Sequence, residues 1–413
     1  MIFLYFLIFE MPFYRHPILD AGSGIFTVVK GMGALGLVAA ALYVIARGIP
    51  DYMETRQAKL FIAMVLMAML SFIRNGRPPN LEVGSPILIY ISMVVFFVVI
   101  VSLVDSPEKI RRSLLIANVS MAFASWYIIR EFQQYHASFA LFRPSGKIVG
   151  DSNYFSMAAM LALPVGYFYF AAERRPFYRW AVLVCVVITS VAIAVSGSRG
   201  GLLALFAFII FVIYRSRHRG RNFCILVLIL IPPMLLVPRN PIIRMIHPGV
   251  ADRGATQVRI ETWKAGLRMW RDYPLLGIGL GEFKPMIGTY ADDPKLNKLA
   301  HNTYLEILAE LGIICFILYL WLLWETYRAL GWTCRIARKL KAPLLYSVAT
   351  GMQGGLIGFL VSSFFLSAEY VKFFWFYVFY SIAIMQVTRQ WALQQIRAKR
   401  DLSVPCGDVS IPA

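Results

Sequence analysis

Charge is scarce in this chain, and negative charge most of all. Only 15% of its 413 residues are Asp, Glu, Lys or Arg, with 22 acidic side chains against 41 basic ones. A water-soluble protein of this length needs far more polar surface, so soluble enzymes and soluble binding modules are excluded as classes. Cysteine is limited to five residues, Cys185, Cys224, Cys315, Cys334 and Cys406, none in CxxC spacing. Neither a disulfide framework nor a thiolate metal site is expected, and small apolar packing residues account for them. No DxD or other clustered carboxylate motif is present. Asp292-Asp293 comes nearest to one and reads as a polar turn, so no metal and no cofactor is expected. There is no fixed-period repeat and no low-complexity segment. The amino-terminal run MIFLYFLIFEMPFYRH has no basic region before it and no A-x-A site after it, so a cleaved signal peptide is not expected.

Apolar residues are what the chain has in excess. They make up 59% of it, with aromatics at 15%, and the mean hydropathy is +0.65. Runs of 17–24 apolar residues recur, each long enough as a helix to cross a ~30 Å hydrocarbon core. The ten-residue alternation of barrel strands is absent. The fold class is therefore all-α, a polytopic membrane protein of about 12 transmembrane helices. The expected spans are 1–13 (short for a crossing), 24–46, 58–74, 86–104, 113–130, 155–172, 178–195, 200–215, 222–237, 303–326, 345–367 and 371–389. Four regions follow: membrane helices over 1–237, one long polar loop over 238–301, further membrane helices over 302–392, and a tail over 393–413.

The net charge of +19 raises the question of nucleic acid. The basic residues, however, lie in short clusters between apolar runs, as membrane topology requires, and no nucleic-acid partner is expected. With the amino terminus inside, the connections RGIPDYMETRQAK, DSPEKIRR, ERRPFYR, RSRHRGR, the segment Tyr327–Ala342 and the tail are all cytoplasmic. Each carries at least three Lys or Arg, and short-loop Lys/Arg asymmetry sets orientation whereas long loops translocate regardless of charge. Both termini are thus expected inside. Arg199, the loop 238–301 and the mouth of the span starting near Thr303 fall on the outer face, joined there by FRPSGKIVGDSNYF. The tail RQWALQQIRAKR reads as an interfacial helix or as a solvated end.

Three residues on that outer face can carry chemistry. Arg199 stands in SGSRGG between two hydrophobic spans, where burial costs roughly 2.5–3.5 kcal/mol unless a partner or water is present. Alone it reads equally as an arginine reaching for the interface. Its small neighbours leave the backbone open to a ligand, and the helix starting here points free N–H groups outward, an arrangement suited to phosphate. Arg259 shares a stripe with Trp263, Gly266 and Trp270 on a helix expected from about Thr256 to Arg271. That pattern suits either an interfacial helix with no chemistry or one turning Arg259 inward. His301 precedes Asn302-Thr303-Tyr304-Leu305-Glu306, where Thr303 and Glu306 have capping-box spacing. A lone histidine at a helix start is commonly a surface or capping residue. Here a helix amino terminus and two arginines disfavour imidazolium, so a lowered pKa and a base role are expected. His16, His136, His218 and His247 have no such surroundings. Two guanidinium forks match the charge of a diphosphate, and a neutral imidazole can deprotonate a hydroxyl.

SGSRGGLLAL, then RIETW, PLLGIGLGEF and HNTYLEILAELG in that order, resembles the signature region of the O-antigen ligase/polymerase family of bacterial inner-membrane proteins. The likeness runs from about Asp151 to Gly312; elsewhere it is one of hydropathy. The resemblance implies a many-helix membrane glycosyltransferase with one long periplasmic loop, a metal-independent inverting reaction and an active site on the periplasmic face. It also implies an undecaprenyl-diphosphate-linked glycan donor, with lipid A–core or a growing glycan as acceptor. In the ligase branch two arginines bind the diphosphate and a histidine is the base; matched motif by motif these are Arg199, Arg259 and His301. Asn302 and Tyr304 belong to the last motif without an assigned role. The lack of a large domain after the last span departs from the O-linked oligosaccharyltransferase pattern. The intact Arg/Arg/His set favours a ligase over a polymerase; a transporter or flippase for lipid-linked glycans and a non-catalytic assembly subunit are the readings from other classes. Membrane lipids are the remaining partners.

Overall fold

Every apolar run read above is helical in the computed structural model, which describes residues 1–13, 28–48, 51–74, 85–135, 144, 151–215, 219–236, 242, 246 and 250–403. The helices are α1 (Ile2–Glu10), α2 (Val28–Arg47), α3 (Arg56–Arg74), α4 (Pro86–Leu103), α5 (Pro107–Tyr135), α6 (Ser152–Ala172) and α7 (Pro176–Val195). They continue with α8 (Arg199–Arg215), α9 (Arg219–Leu236), α10 (Val250–Asp272), α11 (Phe283–Tyr290), α12 (Thr303–Lys339), α13 (Pro343–Ser362) and α14 (Lys372–Ser403). No strand occurs among the described residues. Eight of these helices, α2–α7, α12 and α13, are long and apolar enough to cross a membrane, against the twelve spans expected. α1 has nine residues, about 14 Å at 1.5 Å per residue. α8 has 17, and α9 and α14 carry basic residues at one end. α12 and α14 run past the expected limits of 326 and 389, so RQWALQQIRAKR continues the last helix. His16, His136, His218, His247 and Cys406 lie outside the described residues.

The centre of the bundle is α13, and its sequence GMQGGLIGF explains why. Gly351 faces the α6 backbone at Pro164 and Val165, Gly354 faces Phe208 and Phe211 of α8, and Gly355 faces the Tyr377 hydroxyl of α14. A methyl group on Gly355 would stand 2.2 Å from that hydroxyl oxygen. In a lipid environment helices gain most from close backbone approach, which small residues permit.

The end of the bundle that carries His301 is organised by a break in α12. Gly312, at φ 73° and ψ −179°, interrupts the helix, and the turn after α10 fits into the gap. The amides of Ile278 and Gly279 donate to Ala309 O (2.9 Å) and Glu310 O (3.0 Å), and Ile313 N donates to Pro274 O (2.9 Å). From α3, Ser71 Oγ donates to Leu276 O (2.7 Å) and Arg74 Nη1 to Gly277 O (2.9 Å). The Glu310 carboxylate accepts from Gly281 N (2.9 Å), Phe283 N (3.0 Å) and the Tyr370 hydroxyl (2.7 Å). PLLGIGLGEF and AELGII are therefore two halves of one joint. Above it, α10 and α11 close a small core of Ala265, Met269, Ile278, Phe283, Ile287, Leu305 and Ala309.

Candidate functional site

Arg199 opens α8 directly after a three-residue turn from α7. Gly197 takes φ 62°, a left-handed angle that glycine adopts without strain. The serines around it lock the turn to the start of α6: Ser196 Oγ pairs with Ser156 Oγ (2.8 Å), and Ser198 Oγ donates to Asn153 Oδ1 (3.0 Å) and accepts from Gly201 N (3.2 Å). A Cβ on Gly201 would meet Ser156 Cβ at 2.7 Å. SGSRGG is thus a close-approach sequence as well as a phosphate-like one. At the same place α6 begins, with Asp151 as its N-cap accepting from Asn153 N (2.6 Å).

α10 starts at Val250 rather than near Thr256 and lies against the first part of α12. Thr262, Ala265, Gly266 and Met269 form its buried face, with Gly266 against Phe283 and Leu305. Trp263 Nε1 donates to Ala300 O (2.8 Å), and the ring meets Phe364 edge-on at 5.6 Å. The tryptophan therefore fixes the helix and the strap leading to His301 together. Arg259, one turn earlier, is half-buried. Arg268 turns away and pairs with Asp292 at 2.8 Å. Asp293 N donates to Glu261 Oε1 (2.9 Å), and Asp293 Oδ1 accepts from Lys295 N, so the Asp-Asp pair is a polar turn. No group of three metal-ligating side chains occurs among the described residues.

His301 sits in a left-handed conformation, φ 47°, just ahead of α12. Among non-glycine residues Asn, Asp and His tolerate this region best, and such angles concentrate at functional sites. Its amide donates to Ser367 Oγ (3.1 Å), while its Nδ1 is buried without a hydrogen-bond partner. The expected capping box does not form. Asn302 is the cap, accepting from Tyr304 N and Leu305 N (3.1 and 3.2 Å). Thr303 instead bridges Leu366 O and Ala368 N (2.6 and 2.9 Å), and Glu306 accepts from Ser367. The tertiary partner, the 363–371 connection, outcompetes the local cap. Tyr304 donates to Leu360 O (2.8 Å). Asn302 and Tyr304 thus hold the helix start that carries His301.

The structure brings Arg199, Arg259 and His301 to one end of the bundle, close enough for their charges to interact. Burial lowers the pKa of Arg259, Arg199 lowers it further, and Asp151 opposes both. Burial likewise lowers the His301 pKa below its usual value; Arg259 and, less strongly, Lys298 add to this while Asp151 opposes it. A guanidinium remains charged despite such a shift, so two cations of like sign face one carboxylate. Such a site favours an added anion and a neutral imidazole.

Asp151 is the member that sequence reading passed over. Its only local signal is Asp-Ser-Asn at a helix start, which an N-cap explains fully. Asp151→Asn keeps a cap acceptor and removes the charge that raises the His301 pKa. The acid limb of kcat/KM should therefore move to lower pH; an unmoved limb would deny Asp151 that influence. A second feature missed was buried carboxyls near the 363–371 connection. Glu369 is 2% exposed, and burial, together with Glu310, pushes its pKa up to about 8.

Residues 184–320 match the O-antigen ligase family model. The match supports an O-antigen ligase-like family. It spans about a third of the chain and contains Arg199, Arg259 and His301. A comparison with curated proteins returns no match. The O-antigen ligase-like region takes in the SGSRGG turn, α8, α10, the α12 break and the first half of α12, the elements that form the joint and converge on the site. Together with the many apolar helices, this match makes the chain similar over that region to O-antigen ligases, which supports a glycosyl-transfer enzyme. Asp151 lies outside the matched residues.

Proposed function

We propose that this protein is a glycan ligase acting at the periplasmic face of a bacterial inner membrane, with both termini cytoplasmic. It transfers a glycan from an undecaprenyl-diphosphate-linked donor to an acceptor hydroxyl, lipid A–core in the O-antigen ligase manner. The observation that carries this reading is the meeting of two arginines with a half-buried histidine whose Nδ1 has no partner. Arg199 and Arg259 hold the diphosphate, and the α8 amino terminus adds backbone donors beside Arg199.

His301 takes the proton of the acceptor hydroxyl as that oxygen bonds to the anomeric carbon. The bond from that carbon to the diphosphate oxygen breaks, and its electron pair leaves with the lipid diphosphate. Attack opposite to the leaving group inverts the anomeric centre. The charge developing on the leaving oxygen is the charge the two guanidinium groups oppose. The side chains named suffice for these steps without a metal, so a chelator should leave the rate unchanged.

Because only neutral imidazole accepts the proton, activity should fall as pH drops through the His301 pKa. That pKa lies below the ordinary histidine value, so kcat/KM should stay high to below about pH 6.5. Reconstitution with a lipid-diphosphate glycan and candidate acceptors tests the assignment. Lipid A–core-linked product supports a ligase, an extended lipid-linked chain identifies a polymerase, and donor translocation without covalent transfer identifies a transporter.

A further inference from the structure

A cavity of about 590 Å³ lies at the other end of the bundle from Arg199 and His301. Its walls come from the start of α3, the end of α8 and the second half of α12, more than ~30 Å along α12 from Thr303. Four arginines line it, Arg56, Arg215, Arg328 and Arg335, against a single carboxylate, Glu325. Glu325 Oε1 is 3.0 Å from Arg328 Nη1 and 3.6 Å from Arg56 Nη1, so it is engaged by those two. No carboxylate among the described residues pairs with Arg215 or Arg335. Arg215 Nε is buried with no hydrogen-bond partner, and the thiol beside its guanidinium, Cys334, is a weak acceptor. A buried charged donor without an acceptor is costly, and a ligand oxygen relieves that cost.

The surroundings identify the ligand's chemistry. Trp324, which also lines the cavity, is 60% exposed on the bundle surface, and the neighbouring Trp321 is 49% exposed. Tryptophan beside arginine at a helix end marks the membrane–water interface, and basic pockets between membrane helices at that level suit anionic headgroups. Guanidinium forks favour the paired oxygens of a phosphate over a point anion.

We propose that this cavity is a phosphate-binding site for an anionic phospholipid headgroup of the leaflet opposite the transfer site, with Arg215 and Arg335 as its principal ligands. The site is separate from the glycan-transfer site and stands whether or not that site is a ligase.

The test uses purified, delipidated full-length protein. Phosphatidylglycerol, phosphatidylcholine and inorganic phosphate are titrated separately, reading the thermal midpoint and bound lipid by native mass spectrometry. Phosphatidylglycerol should bind and raise the midpoint while phosphatidylcholine does not. Arg215→Gln and Arg335→Gln should each weaken phosphatidylglycerol binding by roughly tenfold, the worth of one charge-assisted contact. Arg335 is exposed, so its variant keeps the fold if the Arg215 variant does not. A response to inorganic phosphate as strong as that to the lipid would assign the same site to a soluble phosphate. Equal binding of both lipids, or binding unchanged in Arg335→Gln, overturns the proposal.

Discussion

His301→Asn is expected to lower glycan transfer by roughly 10²- to 10⁴-fold, the usual worth of a positioned base, with no loss of folded protein. Asparagine is chosen because it accepts the left-handed backbone that His301 occupies, and the Ser367 contact uses the main-chain amide, which asparagine retains. Binding of the lipid-linked donor should persist, since its diphosphate is assigned to Arg199 and Arg259. Arg259→Lys should behave differently: charge is kept, the paired donors are lost, and kcat/KM should fall by roughly 10²- to 10³-fold, the scale of removing one stabilising donor. Transfer kinetics together with donor binding in the same membranes separate the two. Full transfer by His301→Asn would remove the histidine from the mechanism and leave the arginine site in place.

The second large effect is structural. A Cβ on Gly277, at φ +69°, would stand 2.2 Å from the Glu310 carbonyl carbon, and one on Gly312, at φ +73°, 2.2 Å from Leu275 O. Both obstacles are backbone and cannot swing aside. Gly277→Ala should destabilise the joint by about 2–5 kcal/mol, combining roughly 1–2 for the left-handed angle with 1–3 for overpacking. Gly33→Ala in α2 is the matched control, because nothing lies within 4 Å of its added methyl. Thermal unfolding and protease nicking between residues 250 and 301 read the outcome. Nicking and transfer unchanged in Gly277→Ala would mean that the joint does not hold the site together.

The helices were legible because a membrane imposes a long, one-dimensional constraint. A run such as 152–172 or 176–195 must satisfy its own backbone within itself, so hydropathy and length fix it without reference to neighbours. The crossing count was less legible at α1, α8, α9 and α14, which are short or carry basic residues at one end. Arg199, Arg259 and His301 were visible one by one, as polar residues where polarity is costly. Their meeting was not visible, since the start of α8, α10 and the start of α12 are separate stretches held in place by tertiary contacts such as Ser196–Ser156 and Trp263–Ala300.

Local rules misled at Thr303 and Glu306. Their spacing satisfied a capping box, yet Leu366, Ser367 and Ala368 captured both side chains and left the cap to Asn302. Asp151 was hidden for the converse reason, because a local role explained it completely. The sequence by itself determined an all-helical membrane protein, the places of its helices, and the few cations that had to find anions. Only the tertiary structure decided that Gly277 and Gly312 interlock, that α13 is the central helix, and that Asp151 stands with Arg199, Arg259 and His301. Those outcomes depend on close approach between distant backbones and on the sum of charges around each group, and neither quantity is a property of any single stretch of chain.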